Sequence, residues 1–148
     1  MAPIKVLFVC IHNSARSQMA EAFVNHFAAG KVVAQSAGLM PGKLNPGVVS
    51  VMKETGIDIS ANSTKSVENF IKRKDAFDYV ITVCDEASAE RCPTFPGKAK
   101  KLHWGFEDPS SLMGSEDEKT ARTRLIRDQI KLKVGQWVQS LINHGSDQ

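Results

Sequence analysis

The sequence predicts an α/β fold in which a four-stranded parallel sheet is flanked by helices on both faces. Short apolar segments rich in Val, Ile and Phe alternate with segments whose apolar residues recur at helical spacing. The first apolar segment does not alternate with polar residues, as expected for a strand buried on both faces. A chain of 148 residues with 42% hydrophobic content can bury one substantial core. We therefore expect a single domain over residues 1–148.

The first strand is predicted over Ile4–Cys10, an apolar run that ends on a cysteine. A helix is predicted to follow from about Arg16, because the next apolar residues can share one helical face. These residues are Met19, Ala20, Phe23 and Phe27. Gly30 marks the end of the helix, since glycine commonly follows the last helical turn. A short loop therefore joins Cys10 to Arg16.

The sequence in the middle of the chain indicates a strand, two helices and a connector. The second strand covers residues 31–36, and Pro46 begins a helix that continues to Gly56. Residues 57–60 form a short extended connector. Ser66 caps a further helix, whose apolar residues follow at helical spacing.

Two more strands and a long helix complete the prediction. Strand 77–84 again ends on a cysteine, Cys84, and a short fourth strand covers residues 100–104. A last helix runs from about residue 119 to residue 142, with an apolar stripe that we assign to the core. The stripe consists of Ile126, Ile130, Val134, Trp137 and Leu141. Because ligands of parallel sheets bind beyond the carboxyl ends of strands, Cys10 and Cys84 can lie near each other.

The loop between Cys10 and Arg16 has the character of an oxyanion-binding turn. Backbone N–H groups of the loop and of the first helical turn can converge on one point, where the helix dipole adds positive charge. The Arg16 guanidinium supplies a planar fork that fits a tetrahedral oxyanion. The same field favours the thiolate of Cys10, the nucleophilic form of a cysteine. The spacing alone is also compatible with a buried strand-end cysteine beside a surface arginine.

Composition and charge argue against several other classes of function. The net charge of +3 is spread along the chain and is too small for a nucleic-acid-binding protein. No segment has the length and apolar character of a signal sequence or a membrane span. Three cysteines cannot form a closed disulfide framework, and their spacing does not match a zinc site. We therefore expect a cytoplasmic protein that acts on a small anion, with no metal, membrane or nucleic-acid partner.

Residues 8–21, with the sequence FVCIHNSARSQMAE, carry a specific resemblance. This segment resembles the active-site segment of arsenate reductases built on the low-molecular-weight protein tyrosine phosphatase fold, and it is closer to the reductases than to the phosphatases. The resemblance implies that Cys10 attacks arsenate, for which phosphate and sulfate are analogues, and that Arg16 clamps it. The implied oxyanion loop consists of Ile11, His12, Asn13, Ser14, Ala15, Arg16 and Ser17. Ser17 is implied to hydrogen-bond the Cys10 sulfur, and Asn13 to hydrogen-bond the loop backbone.

Cys84 and Cys92 lie in one polar segment that Pro93 interrupts. In a helix their Cα atoms would be ~12 Å apart, against the ~4.4–6.8 Å of a disulfide, so a bond between them requires the segment to unwind. The residues alone leave open whether this pair is redox-active or unrelated. The resemblance implies a relay: Cys84 attacks Cys10 and releases arsenite, Cys92 attacks Cys84, and thioredoxin, as the electron donor, reduces the last disulfide. The best-known relatives separate the last two cysteines by one position fewer.

Asp108-Pro109 is the only Asp-Pro pair in the chain. From the residues alone, the aspartate either forms a turn or protonates a leaving oxygen. The resemblance implies the second role, the general acid of the family. Phosphatases of this fold commonly carry tyrosines just after the proline, whereas Ser110 and Ser111 follow here, so an aromatic wall for phosphotyrosine is missing.

The resemblance implies no tightly bound cofactor, but some relatives bind potassium behind the loop and carry an acidic residue where this chain has Lys65. Their ion lies near the positions that match Asn13, Glu21, Ser36 and Ser63. Lys65 argues against a potassium site, and its ammonium is a candidate to replace the ion. We assign structural or solvated positions to the histidines, which are His12, His26, His103 and His144.

The leading prediction is a monomeric, thioredoxin-coupled arsenate reductase. The alternative is a low-molecular-weight protein tyrosine phosphatase or phosphomonoesterase that uses Cys10, Arg16 and Asp108, with water in place of the second thiol. A third interpretation is a redox sensor or anion-binding module without turnover. It does not explain Asp108-Pro109, which a binding module does not need.

Overall fold

The computed structural model describes residues 3–28, 30–73, 76–84 and 97–144. Its centre is a four-stranded parallel sheet with the strand order β2-β1-β3-β4. The strands are β1 (Ile4–Cys10), β2 (Val32–Gly38), β3 (Tyr79–Thr82) and β4 (Lys100–His103). The predicted α/β class with a four-stranded parallel sheet is confirmed.

Helices cover both faces of the sheet. They are α1 (Arg16–Ala28), α2 (Pro46–Lys53), α3 (Val67–Lys72) and α4 (Glu116–His144). α1, α2 and α4 share one core with alternate residues of β1 that include Val6 and Phe8. α3 packs on the other face, against Leu7 and Val9. Both faces of β1 are therefore buried, which explains its unbroken apolar sequence.

The predicted starts of α2 and α3 are confirmed by their N-terminal caps, whereas α2 ends at Lys53, before the predicted end at Gly56. Asn45 Oδ1 accepts hydrogen bonds from Gly47 N at 2.8 Å and Val48 N at 3.2 Å, with Pro46 as the first helical residue of α2. Ser66 Oγ accepts from Glu68 N at 3.1 Å at the start of α3. Both caps satisfy N–H groups that have no partner within the helix.

The long helix α4 begins at Glu116, earlier than the predicted start near residue 119. The first turn is stabilised by a capping box of polar residues, which an apolar pattern cannot indicate. Glu118 N donates to Ser115 Oγ at 3.1 Å, and Ser115 N donates to Glu118 Oε1 at 3.4 Å. The predicted apolar stripe packs into the core, and Val138 extends it.

The strand boundaries also differ from the prediction. β2 continues to Gly38 instead of residue 36, because its last residues pair with the end of β1, where Gly38 faces Cys10. β3 ends at Thr82 instead of residue 84, although Val83 N still donates to Val9 O at 3.0 Å. β4 ends at His103, one residue early. Among the described helices, none is both long and apolar enough to cross a membrane.

Candidate active site

The Cys10 sulfur lies at the end of β1 and faces two hydrogen-bonding groups. Asn13 N donates to Cys10 Sγ at 3.0 Å, and Ser17 Oγ lies 2.9 Å from the same sulfur. Asn13 has a positive φ of 55°, a conformation in which Asn is less strained than most residues. The turn at Asn13 brings its N–H back onto Cys10, which is only 2% exposed.

The side chain of Asn13 orients the Ser17 hydroxyl. Asn13 Nδ2 donates to Ser17 Oγ at 2.8 Å, so the hydroxyl proton of Ser17 is left for the Cys10 sulfur. Asn13 Oδ1 accepts from Gln18 Nε2 at 3.1 Å and from Lys65 N at 2.9 Å. The expectation that the Asn13 side chain bonds the loop backbone was therefore wrong. Its partners are two side chains of α1 and the backbone of Lys65.

Residues 39–45, which follow β2, hold the loop from its outer side. Their N–H groups donate to loop carbonyls: Leu39 N to Cys10 O (3.1 Å), Met40 N to Ile11 O (2.8 Å), Gly42 N to His12 O (2.9 Å) and Asn45 N to Ser14 O (2.9 Å). In a trans peptide the C=O and N–H groups point in opposite directions. The N–H groups of the same four peptides therefore point to the inner side of the loop, as an oxyanion requires.

The Arg16 guanidinium is buried and contacts the loop that follows β4. Its Nη1 donates to Phe106 O at 3.1 Å, and its Nη2 lies 3.5 Å from Asp108 Oδ2. Asp108 Oδ1 accepts from Ser110 N at 2.9 Å and caps a short 3₁₀ turn that begins at Pro109. Asp108 thus forms a turn with one carboxylate oxygen and faces Arg16 with the other. The two residues that the sequence singled out from distant segments are in contact.

Cys84 lies beyond the end of β3, the neighbour of β1. Val9 of β1 pairs with Thr82 of β3, so Cys10 and Cys84 follow the paired residues at the same edge of the sheet. Both cysteines are buried and belong to the same core cluster. The third cysteine, Cys92, lies outside the described residues.

A charged cluster lies behind the loop, where some relatives are expected to hold potassium. Lys65 Nζ lies 3.3 Å from Ser63 O, 3.5 Å from Ser36 Oγ and 3.7 Å from Glu21 Oε1. Burial raises the pKa of Glu21, while the Lys65 charge and the Ser36 hydrogen bond act in the opposite direction. The Lys65 ammonium already contacts the oxygens that a metal ion would use. The residues therefore do not fit a second cation there. Elsewhere in the described chain, no group of three or more His, Cys, Asp and Glu side chains could hold a metal ion.

The sequence-predicted loop residues play unequal parts. Ala15 is buried, whereas the His12 ring is exposed and pairs through Nδ1 with Met40 O at 3.0 Å. Gln18 had no predicted role, yet it is fully buried and its Nε2 donates to both Asn13 O and Ser63 O at 3.1 Å. An amide among the apolar residues of α1 was the signal that could have identified it.

Comparison with known proteins gives a consistent result. The family model for low molecular weight phosphotyrosine protein phosphatase matches residues 5–146. The arsenate reductase of Bacillus subtilis (strain 168) is 37% identical over 135 residues, which cover 91% of this chain and 95% of the relative. Among solved structures, an arsenate reductase in the phosphate binding state has a TM-score of 0.73 at 32% identity, covering 93% of this chain and 98% of its own.

A thioredoxin-dependent arsenate reductase of Corynebacterium glutamicum is also similar. Its TM-score is 0.56 at 33% identity, over 89% of this chain and 64% of that chain. The family match spans nearly the whole sequence and includes the Cys10 loop, Cys84 and Asp108. The chain belongs to the low molecular weight phosphotyrosine protein phosphatase family.

Proposed function

We propose that this protein is an arsenate reductase that uses Cys10 as its nucleophile and thioredoxin as its electron donor. The observation that carries the proposal is the Cys10 sulfur, which meets Asn13 N at 3.0 Å and Ser17 Oγ at 2.9 Å inside a loop of inward-facing N–H groups. Two donors on the sulfur stabilise a thiolate, and the inward N–H groups can donate hydrogen bonds to an oxyanion next to it. The similarity to arsenate reductases selects arsenate among tetrahedral oxyanions.

In the first step the Cys10 thiolate attacks arsenic. A sulfur–arsenic bond forms and one arsenic–oxygen bond breaks, with the oxygen leaving as water after Asp108 supplies a proton. The Arg16 guanidinium neutralises charge on the remaining oxygens. The contact between Arg16 Nη2 and Asp108 Oδ2 at 3.5 Å supports the placement of these two residues at one site.

In the second step Cys84 attacks the Cys10 sulfur. A disulfide forms, the sulfur–arsenic bond breaks, and its electron pair stays on arsenic, which leaves as arsenite. The neighbouring positions of Cys10 and Cys84 at one sheet edge support this step. Cys92 then attacks Cys84 and frees Cys10, and a thioredoxin dithiol reduces the Cys84–Cys92 disulfide. The role of Cys92 rests on the family resemblance and on its place in the sequence.

Coupled assays with thioredoxin, thioredoxin reductase and NADPH test this order in three matched cysteine-to-serine variants. We expect wild-type turnover, and no arsenite from Cys10→Ser or Cys84→Ser. Cys92→Ser should release a single burst of arsenite, equal to the protein present, because the Cys10–Cys84 disulfide then accumulates. Absence of turnover in the wild type would reject the reductase, and full turnover in Cys92→Ser would reject the relay.

A phosphatase activity is the second candidate, favoured by the contact of Asp108 with Arg16 beside a nucleophilic cysteine. In that reaction water, instead of Cys84, would resolve the Cys10 intermediate. Hydrolysis of para-nitrophenyl phosphate should then be the same in Cys84→Ser and in the wild type. Ser110 and Ser111, in place of aromatic residues, argue against phosphotyrosine as its substrate.

We also infer a monomeric, single-domain protein of the cytoplasm. A thiol relay needs a compartment in which cysteines are kept reduced, and thioredoxin works in such a compartment. Analytical ultracentrifugation of the reduced protein tests the monomeric state.

A further inference from the structure

Lys65 places a positive charge among three oxygen atoms behind the active-site loop. Its Nζ lies within 3.7 Å of the Glu21 carboxylate, the Ser36 hydroxyl and the Ser63 carbonyl. The Glu21 side chain is only 14% exposed, and it also accepts a hydrogen bond from Ser36 Oγ at 2.9 Å. A carboxylate this buried requires a cation or a proton nearby.

This cluster is joined to the Cys10 loop through short backbone and side-chain contacts. Lys65 N donates to Asn13 Oδ1 at 2.9 Å, and Gln18 Nε2 bridges Ser63 O to Asn13 O. Asn13 in turn orients the Ser17 hydroxyl towards the Cys10 sulfur. A disturbance of residues 63–65 therefore reaches the sulfur through Asn13.

The oxygen atoms around Lys65 are of the types that serve as ligands of a monovalent metal ion. One carboxylate, one hydroxyl and one carbonyl match a hard cation, but the ammonium already uses them. A second cation at the same oxygens would lie a few ångströms from the ammonium, where like charges repel strongly in a partly buried site. The lysine and a potassium ion are therefore alternatives at this position.

We propose that the Lys65 ammonium is a tethered cation that replaces a bound potassium ion and positions the oxyanion loop, so that this protein works without potassium. Lys65 is a positioning residue, since it acts through Asn13 and Glu21. The proposal rests on the oxyanion binding of the proposed function but not on arsenate chemistry. It can therefore be tested with sulfate as the probe.

The test compares sulfate affinity, by calorimetry, and thermal stability in tetramethylammonium and potassium buffers of equal ionic strength. In the wild type, both quantities should be the same in the two buffers. Lys65→Met should bind sulfate about tenfold more weakly in tetramethylammonium and melt about 2–6 °C lower. Potassium should restore most of both losses, because it can then reach Glu21, Ser36 and Ser63.

Lys72→Met is the matched control. It removes the same charge from an exposed lysine that pairs with Glu68 at 3.5 Å, and it should change neither quantity. A potassium-dependent wild type would overturn the proposal even if Lys65→Met failed to fold. So would a Lys65→Met protein whose losses potassium does not reduce. If sulfate follows the expected pattern but arsenate is not reduced, the proposed function fails and this inference stands.

Discussion

Among the glycines of the described residues, Gly38 has the least room for a side chain. A Cβ atom at this position would lie 2.7 Å from Ile11 O and 2.8 Å from Asn13 N, both of them backbone atoms that cannot rotate away. Gly38→Ala should therefore displace the Cys10 loop and destabilise the protein by about 1–3 kcal/mol, the usual cost of overpacking. Urea unfolding and sulfate binding by calorimetry measure the two effects.

Gly135→Ala is the control for Gly38→Ala, because its added Cβ atom meets only Phe27 at an ordinary 3.9 Å. Gly135 lies inside α4, so alanine should raise the free energy of unfolding by about 0.5–1 kcal/mol through helix propensity. If Gly38→Ala were as stable as the wild type and bound sulfate equally well, the close approach of β2 to the loop would not matter.

Residue-level prediction succeeded where the signal was local. Cys10 could be placed at the end of β1, and Arg16 and Ser17 at the start of α1, because strand, turn and helix follow one another directly in the sequence. The partners of Asn13 could not be found in this way, because Lys65 reaches it from a distant segment through its backbone N–H. Every residue except proline has a backbone N–H group, so the residue type does not indicate such a contact.

At the scale of elements, Glu54 joins the end of α2 to α4. Its carboxylate accepts from Arg124 Nε at 3.0 Å and Nη2 at 2.7 Å, and from Arg127 Nη1 at 2.8 Å. Arg127 Nη1 also donates to Val51 O at 2.8 Å. These contacts lower the pKa of Glu54 to about 2, from an ordinary 4.5, chiefly through the hydrogen bonds from Arg124 and Arg127.

The lowered pKa predicts a pH-dependent link between the two helices. Between pH 4.5 and about 2 the unfolded chain binds the Glu54 proton more readily than the folded chain does. The stabilisation is therefore complete above the ordinary pKa and is lost as the pH falls through this window. The measurement is urea unfolding from acid to neutral pH. The free energy of unfolding of the wild type should exceed that of Glu54→Gln by an amount that grows with pH and then levels off.

The effect of Glu54 should be modest and should shrink at high salt, since its carboxylate is partly exposed. Glu68→Gln, which removes a surface carboxylate of α3, is the control and should leave the acid limb of the curve close to that of the wild type. If the difference in the free energy of unfolding between the wild type and Glu54→Gln stayed constant between pH 4.5 and about 2, the lowered pKa of Glu54 would be contradicted.

The elements themselves were largely predictable, and their errors have local causes. Apolar periodicity located α4 but missed its first turn, because the capping box of Ser115 and Glu118 consists of polar residues. The sequence predicted β3 over residues 77–84, whereas β3 spans Tyr79–Thr82 and ends where its pairing with β4 stops. Strand length is set by neighbours that are distant in the sequence.

At the scale of the whole molecule, topology assembles the site from several separate segments. The carboxyl ends of β1 and β3 supply the two described cysteines, the segment after β2 holds the loop carbonyls, and the loop after β4 supplies Asp108. The parallel sheet predicted that Cys10 and Cys84 lie near each other, because ligand sites lie beyond the carboxyl ends of parallel strands. It did not predict the outer support by residues 39–45, whose composition gives no sign of contact with the loop.

A site assembled in this way predicts that oxyanion binding stabilises the whole fold. Sulfate binds the folded loop and not the unfolded chain, so the free energy of unfolding should rise with its concentration. At a concentration about ten times its Kd, the melting temperature should rise by about 3–6 °C in differential scanning calorimetry. Chloride at equal ionic strength should give a much smaller shift, since it is not a tetrahedral oxyanion.

The sulfate-induced shift should depend on Arg16 in particular. Arg16→Met removes the buried guanidinium beside Asp108, so the shift should nearly disappear, whatever the melting temperature of the variant without sulfate. Arg73→Met removes an exposed arginine that stacks on Phe70, and it should keep the full shift. Equal shifts in both variants would mean that sulfate stabilises the protein from outside the Cys10 loop. The loop would then not be the anion site from which the proposed chemistry starts.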